Sequence, residues 1–148
     1  MHTEKIYLTA LCFLVFGATI LMADSDPDKK GQVPLEPAPE VKLTLKEAST
    51  CEDLKNSKPW NQAVVFSLKN RKVTCYCSFD PVPEKTFIQH RWFHKDRLNA
   101  RRKLILKPPR WSTFSTIQMR ENDKGPWRVE IMGPDGKVFQ TLRFSITD

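Results

Sequence analysis

The chain has 148 residues, 24 of them Lys or Arg against 17 Asp or Glu, a formal net charge of +7, and 40% of the residues are hydrophobic. That is enough chain for one domain with a real core. The positive balance either keeps the domain soluble or favours anionic partners such as lipid headgroups, acidic glycans or nucleic acid, and the export signal described next sets nucleic acid aside.

Lys5 precedes an uncharged run of 18 residues, "IYLTALCFLVFGATILMA" (Ile6–Ala23), after which the chain turns polar at "DSDPDKK". A short charged start, an apolar stretch and a terminal small residue make a secretory signal peptide. The run is also long enough to span a bilayer, and cleavage after Ala23 would place Leu21 where a small residue is preferred. Residues 1–23 are therefore read as a signal peptide or a retained N-terminal membrane anchor. Either way the C-terminal part is exported. Residues 24–40, "DSDPDKKGQVPLEPAPE", hold four prolines and almost no large apolar side chain; they read as a Pro-rich flexible linker. In an oxidising compartment Cys51, Cys75 and Cys77 read as one disulfide and one leftover thiol. Cys75 and Cys77 share a strand face and are poorly placed to bridge each other, so Cys51 pairs with one of the two.

Residues 41–148 carry mostly period-two patterning. "VKLTL" alternates Val41, Leu43 and Leu45 with polar residues. "EASTCEDLKNSKP" reads as a non-strand segment with a helical turn around Glu52–Leu54. "WNQAVVFSL" and "KVTCYCSF" are β-rich and separated by "KNRK", a hairpin-length gap. "DPVPE" breaks the sheet, because proline cannot donate to a ladder. "KTFIQHRWFH", "RRKLILK", "RWSTFSTIQM", "PWRVEIMG" and "KVFQTLRFSI" supply five more strands, the last two joined by a tight turn at Asp135-Gly136. Trp127, Val129 and Ile131 face one way and Arg128 and Glu130 the other. The last strand keeps Val138, Leu142, Phe144 and Ile146 on one side. Short strands at regular spacing without an amphipathic helix predict an all-β, antiparallel, immunoglobulin-like β-sandwich of about 7–8 strands.

"CEDLKNSKPW", "CYCSF", "IQHRWF", "PRWSTFST", "GPWRVEIMGPDGKV" and "LRFSI", in this order, resemble the bacterial domain family of unknown function 2914, from about Ala48 to Ile146. His90 and Trp92, Trp111 through Ser115, Gly125 and Trp127, and the Asp135-Gly136 turn carry the likeness. Ser112 and Ser78 depart from it, standing where the family usually has arginine and an aromatic residue. The resemblance implies a β-sandwich module of the bacterial cell envelope, periplasmic or anchored to the inner membrane facing the periplasm, with no established activity. It also implies that Cys77, preceded by Tyr76, is the partner of Cys51, leaving Cys75 as the extra thiol.

The residues themselves offer four candidate chemistries. Cys75, Cys77, His90 and His94 form a soft ligand set suited to copper or zinc. No tight ligand spacing supports it, and no metal or cofactor is expected. Ser112, Ser115 or Cys75 beside a histidine would make a nucleophile–base pair. The glycine pattern of a nucleophile elbow is missing, so no enzyme activity is expected. From Arg91 to Arg110 eight basic residues stand against Asp96 alone; with a hairpin turn at "NARR", Arg101, Arg102 and Lys103, with Arg97 nearby, would form an anion-binding patch. The alternative is a solvated face or a charge-protected edge strand. Trp60 and Trp111, near strand starts, are candidates for a glycan-stacking platform, whereas Trp92 and Trp127 read as core. The expected function is a non-catalytic binding module for anionic lipid, envelope glycan or another envelope protein; the alternative is a metal-handling or thiol-based protein using Cys75, Cys77, His90 and His94.

Overall fold

A computed structural model describes residues Glu40–Asp148. The apolar run Ile6–Ala23 and nearly all of the Pro-rich linker lie outside the described residues. Among the described residues no helix is long and apolar enough to cross a membrane.

Nine strands follow in order: β1 (Leu45–Lys55), β2 (Lys58–Gln62), β3 (Val65–Ser67), β4 (Lys72–Phe79), β5 (Thr86–His94), β6 (Arg97–Leu106), β7 (Trp111–Gln118), β8 (Gly125–Met132) and β9 (Val138–Thr147). They form a four-stranded sheet, β2-β1-β4-β7, and a five-stranded sheet, β3-β9-β8-β5-β6. All pairings are antiparallel except β3 with β9. The fold is an immunoglobulin-like β-sandwich. β4 and β7 stand where that fold has strands B and E; β5, β6, β8 and β9 stand where it has C, C′, F and G. Among the described residues nothing occupies the place of strand D, so β7 is an edge facing the β6 edge of the other sheet.

Alternation puts Val73, Cys75, Cys77 and Phe79 of β4 inward, against Ile88 and Trp92 of β5, Trp127, Val129 and Ile131 of β8, and Phe144 and Ile146 of β9. Trp92 is fully buried and meets the Phe144 ring edge-on at 6.0 Å. A buried tryptophan on the C strand is a hallmark of this architecture, and burial of so large a side chain is worth roughly 3 kcal/mol or more.

The observed elements differ from the predicted ones in five places. Val41–Thr44 form no strand; β1 begins at Leu45 and runs through the segment expected to turn helical. It folds into β2 through Asn56 and Ser57, both with positive φ (51° and 60°), the requirement of a two-residue hairpin turn. "WNQAVVFSL" is cut in two, because β2 pairs within one sheet and β3 within the other. β3 and β4 are therefore no hairpin; the polar gap between them holds a 3-10 turn closed by Arg71 at φ 56°. The β5–β6 turn lies at Lys95-Asp96, not at "NARR". Finally, a bulge between Ile131 and Met132 leaves one extra residue in β9. It turns Val138 outward (40% exposed) and Phe139 toward Phe79, at 5.3 Å.

Candidate functional site: a sealed histidine node and a basic sheet face

Neighbouring strands bring His90, Trp92, Ser115, Cys75 and Cys77 together between the sheets. Trp92 Nε1 donates to Ser115 Oγ at 3.1 Å, and Ser115 Oγ stands 2.8 Å from His90 Nδ1. His90 Nε2 points at Cys77 Sγ, 3.3 Å away, with Cys75 Sγ at 4.0 Å. An indole nitrogen only donates, so the serine oxygen accepts there; the tautomer that also gives the serine proton an acceptor has His90 Nδ1 unprotonated. The ring hydrogen then sits on Nε2 and is offered to the sulfur. Every polar group in the relay is satisfied in one direction: Trp92, Ser115, His90, Cys77. His90 is fully buried, and desolvation pushes its pKa down to about 4, so the imidazole is neutral.

The node holds the groups of a serine–histidine nucleophile pair, but both are buried, His90 fully and Ser115 with only 6% exposed. Its order is that of a structural network. The proposed ligand set is divided as well. His94, four residues along the strand and hence roughly 13 Å from His90, stacks on Trp127 at 4.6 Å and donates from Nε2 to the Lys124 carbonyl at 3.1 Å. Among the described residues no group of three or more His, Cys, Asp or Glu is arranged to hold a metal ion.

The expected Cys51–Cys77 disulfide is absent: Cys51, Cys75 and Cys77 are all free and buried. The register explains it. Ala48 lies opposite Cys77 and Thr50 opposite Cys75, whereas Cys51 lies opposite Thr74. Cys51 therefore points from the opposite face of the sheet to Cys75 and Cys77, and neither can reach it without inverting a strand. Burial raises all three thiols, Cys77 to about 12 and Cys75 well above its ordinary value, so none is a thiolate near neutrality.

The other motif residues hold turns and core. Trp127 is buried and donates from Nε1 to the Asp123 carbonyl at 2.7 Å. Gly125 has φ 109°, a conformation open to glycine alone, at the start of β8. In the β8–β9 turn, Asp135 Oδ1 accepts the Lys137 N–H at 3.0 Å and Gly136 takes φ 82°.

The basic run becomes something other than a cluster at a turn. Arg101, Arg102 and Lys103 sit mid-strand, so their side chains alternate. Arg102 is opposite His90 and shares the inner face, emerging at the seam between the sheets; Arg101 and Lys103 lie opposite Arg91 and Gln89 on the outer face. There they meet residues from distant parts of the sequence. Arg91 pairs with Glu130, and Arg128 with Arg143, across β5, β8 and β9. Arg91, Arg101, Lys103, Arg128 and Arg143 thus occupy one sheet face. Arg128 reaches Glu130 at 3.2 Å and also pairs with Asp96, while Arg91 lies 3.8 Å from Glu130. Phe93 is packed beneath this pair, 3.9 Å from the Arg128 guanidinium and 5.2 Å from that of Arg91. Lys103 lies 4.1 Å over Phe87. Arg97, Arg101, Arg102, Lys103 and Arg143 are exposed and make no ion pair among the described residues. By contrast, the outer faces of β4 and β7 carry Thr74, Tyr76, Ser78, Ser112, Phe114 and Thr116, with Lys72 at the start of β4 held by Asp53. Arg143 and Arg128 were not singled out from the sequence; their alternation with Phe144 and Trp127 was the available signal.

The two candidate platform tryptophans do not share a surface. Trp60 is on β2 and Trp111 on β7, the opposite edges of the four-stranded sheet. Trp60 is 43% exposed with Lys55 Nζ 3.6 Å above its ring. Trp111 is half-buried against the core beside a cleft of about 440 Å³, with Lys107 Nζ at 5.4 Å. Each ring already has a lysine ammonium over its face.

A family model described as "Protein of unknown function (DUF2914)" matches residues 85–146, which run from the start of β5 into β9. The resemblance read from the motifs holds over these strands; the earlier stretch from Ala48 lies outside the match. No curated protein matches the chain. Among solved structures, a mutant β-glucosidase from Listeria innocua in complex with laminaribiose is similar at 11% identity and a TM-score of 0.43. The similarity covers 72% of this chain and 16% of that enzyme. The Listeria innocua β-glucosidase in complex with isofagomine gives 11% identity and a TM-score of 0.42, over 71% of this chain and 16% of the enzyme. This chain thus spans a small part of those enzymes, and their activity and ligands are theirs.

Proposed function

We propose that this chain is an exported, non-catalytic binding domain of the cell envelope that engages anionic groups through the outer face of its five-stranded sheet. The supporting observation is the convergence of Arg91, Arg101, Lys103, Arg128 and Arg143 on that face: Glu130 and Asp96 engage Arg91 and Arg128, while Arg101, Lys103 and Arg143 make no ion pair among the described residues. Guanidinium forks suit phosphate and carboxylate oxygens, and a flat sheet face suits an extended anionic surface better than a small molecule. Ile6–Ala23, acting as signal peptide or inner-membrane anchor, would deliver the domain to the periplasmic side. Held near the membrane, even a weak attraction is amplified by effective concentration.

Phospholipid headgroups and acidic envelope polysaccharide offer the same oxygen chemistry, and the test separates them. Retention of the protein is measured on phosphatidylglycerol vesicles, phosphatidylcholine vesicles and an acidic polysaccharide resin, beside the triple variant Arg101→Ser, Lys103→Ser, Arg143→Ser. At about 1 kcal/mol for each cation near an anionic surface, the variant loses on the order of 100-fold in retention on whichever anionic surface is bound. Equal retention of wild type and variant, or of wild type on neutral and anionic vesicles with none on the resin, overturns the proposal.

A further inference from the structure

Among the described residues β6 has one hydrogen-bonded neighbour, β5, and its other side is the edge of the sheet. An edge strand presents unpaired N–H and C=O groups, a template for another strand. Ten residues make this edge longer than an ordinary strand. It also faces β7 across the seam left where strand D is missing, in a cleft of about 580 Å³ lined by Asn99, Ala100, Arg102, Thr116, Gln118 and Arg120, among others. The Asp123 carboxylate, also in that cleft, already accepts the Arg120 backbone N–H at 2.7 Å.

We propose that the β6 edge captures an acidic, extended segment of another polypeptide, which adds to the five-stranded sheet as a further strand. The proposal goes beyond binding by the sheet's outer face, since it uses the backbone edge and the seam. The side chains specify the guest. On the outer face β6 presents Leu98, Arg101, Lys103 and Ile105 in sequence, with a bulge at Asn99. Leu98 and Ile105 are 41% and 44% exposed, although both are large and apolar. A guest strand would thus meet two central cations between two apolar ends. Its alternate side chains would enter the seam and meet Arg102 and Arg120. Carboxylates suit both sets of positions. Opposite charges directly across a strand pair stabilise and like charges destabilise, so the same residues that attract an acidic strand repel a second copy of β6. The fitting pattern is apolar, polar, a run of acidic residues, polar, apolar.

The test uses the full chain and three short labelled peptides: VTEEETV, its lysine counterpart VTKKKTV, and VTEEETV methylated on every backbone nitrogen, which keeps the acidic charge but cannot donate a ladder of N–H groups. Fluorescence anisotropy measures binding, and amide hydrogen exchange locates it. VTEEETV binds saturably and slows exchange of β6 amides. VTKKKTV does not bind, and N-methylated VTEEETV binds at least about tenfold more weakly. The double variant Arg101→Ser, Arg102→Ser, both exposed positions, lowers VTEEETV affinity about tenfold. Four results would overturn the proposal: no VTEEETV binding, comparable binding of the N-methylated or lysine peptide, protection confined to other strands, or a dimer in which β6 pairs with its own copy.

Discussion

Replacing Ser115 by alanine removes one oxygen from the interior and leaves two partners stranded. Trp92 Nε1–H loses its acceptor at 3.1 Å and His90 Nδ1 loses its donor at 2.8 Å. Both side chains are fully buried, so water cannot replace the serine. Each orphaned group costs roughly 1–3 kcal/mol, and because the two share a network the total is about 2–4 kcal/mol, not a simple sum. A surface Ser→Ala change is ordinarily within about 0.5 kcal/mol. For a domain of this size the loss corresponds to a fall in Tm on the order of 10–15 °C. Urea unfolding followed by tryptophan fluorescence measures it directly, with Ser115→Thr as the variant that keeps a hydroxyl. A cost below about 0.5 kcal/mol for Ser115→Ala, or one no larger than for Ser115→Thr, would refute the relay.

Two further outcomes follow from the same interior. His90 is neutral when folded, with its pKa pushed down to about 4, against about 6.5 when unfolded. Above pH 6.5 neither state takes the proton; as pH falls from 6.5 to 4 only the unfolded chain does, so stability drops by about 3 kcal/mol and then levels. NMR titration of the His90 ring shows no midpoint until near pH 4, and a midpoint near 6.5 contradicts the burial argument. Cys51, Cys75 and Cys77 remain unalkylated by iodoacetamide in the native protein and react fully after denaturation without a reductant; a Cys51–Cys77 peptide on non-reducing mass mapping would show the β1–β4 register to be wrong.

Much of the sandwich was legible because its central strands alternate cleanly. β4 matches "KVTCYCSF" residue for residue, and β7, β8 and β9 fall within a residue or two of their predicted ends. Asp135-Gly136 marked the β8–β9 turn because glycine supplies a positive φ at little steric cost. β1 was missed because its charged and hydroxyl side chains resemble a loop, and its hairpin rests on Asn56 and Ser57, a weaker cue than Asn-Gly. "WNQAVVFSL" read as one strand because hydrophobic pattern does not reveal a change of sheet; Asn61, at φ 52°, was the local cue. The Lys95-Asp96 turn was hidden by lysine, a poor marker of positive φ.

The candidate site shows the same division. Composition found the cations of β6, but it treated them as a cluster when a strand sends Arg102 to one side and Arg101 and Lys103 to the other. Arg128 and Arg143 join that face through the β5–β8–β9 ladder, which no local window contains. The disulfide expectation failed for a related reason. Spacing gives the loop length between Cys51 and Cys77, but which face Cys51 occupies depends on a register that shifts between Leu45 and Glu47. Trp92 reads as core from the sequence and is core, His90 shares its inward face, and the residue that joins them, Ser115, lies 23 positions from Trp92.

The measurement that tests the binding account most directly is a map of backbone amide shifts as phosphatidylglycerol nanodiscs or an acidic polysaccharide are titrated into the protein. The account predicts perturbations concentrated at Arg91, Arg101, Lys103, Arg128 and Arg143 and their neighbours on β5, β6, β8 and β9, fading as salt screens the exposed charges. Perturbations centred on β1, β4 and β7, or none with either anionic ligand, would contradict it.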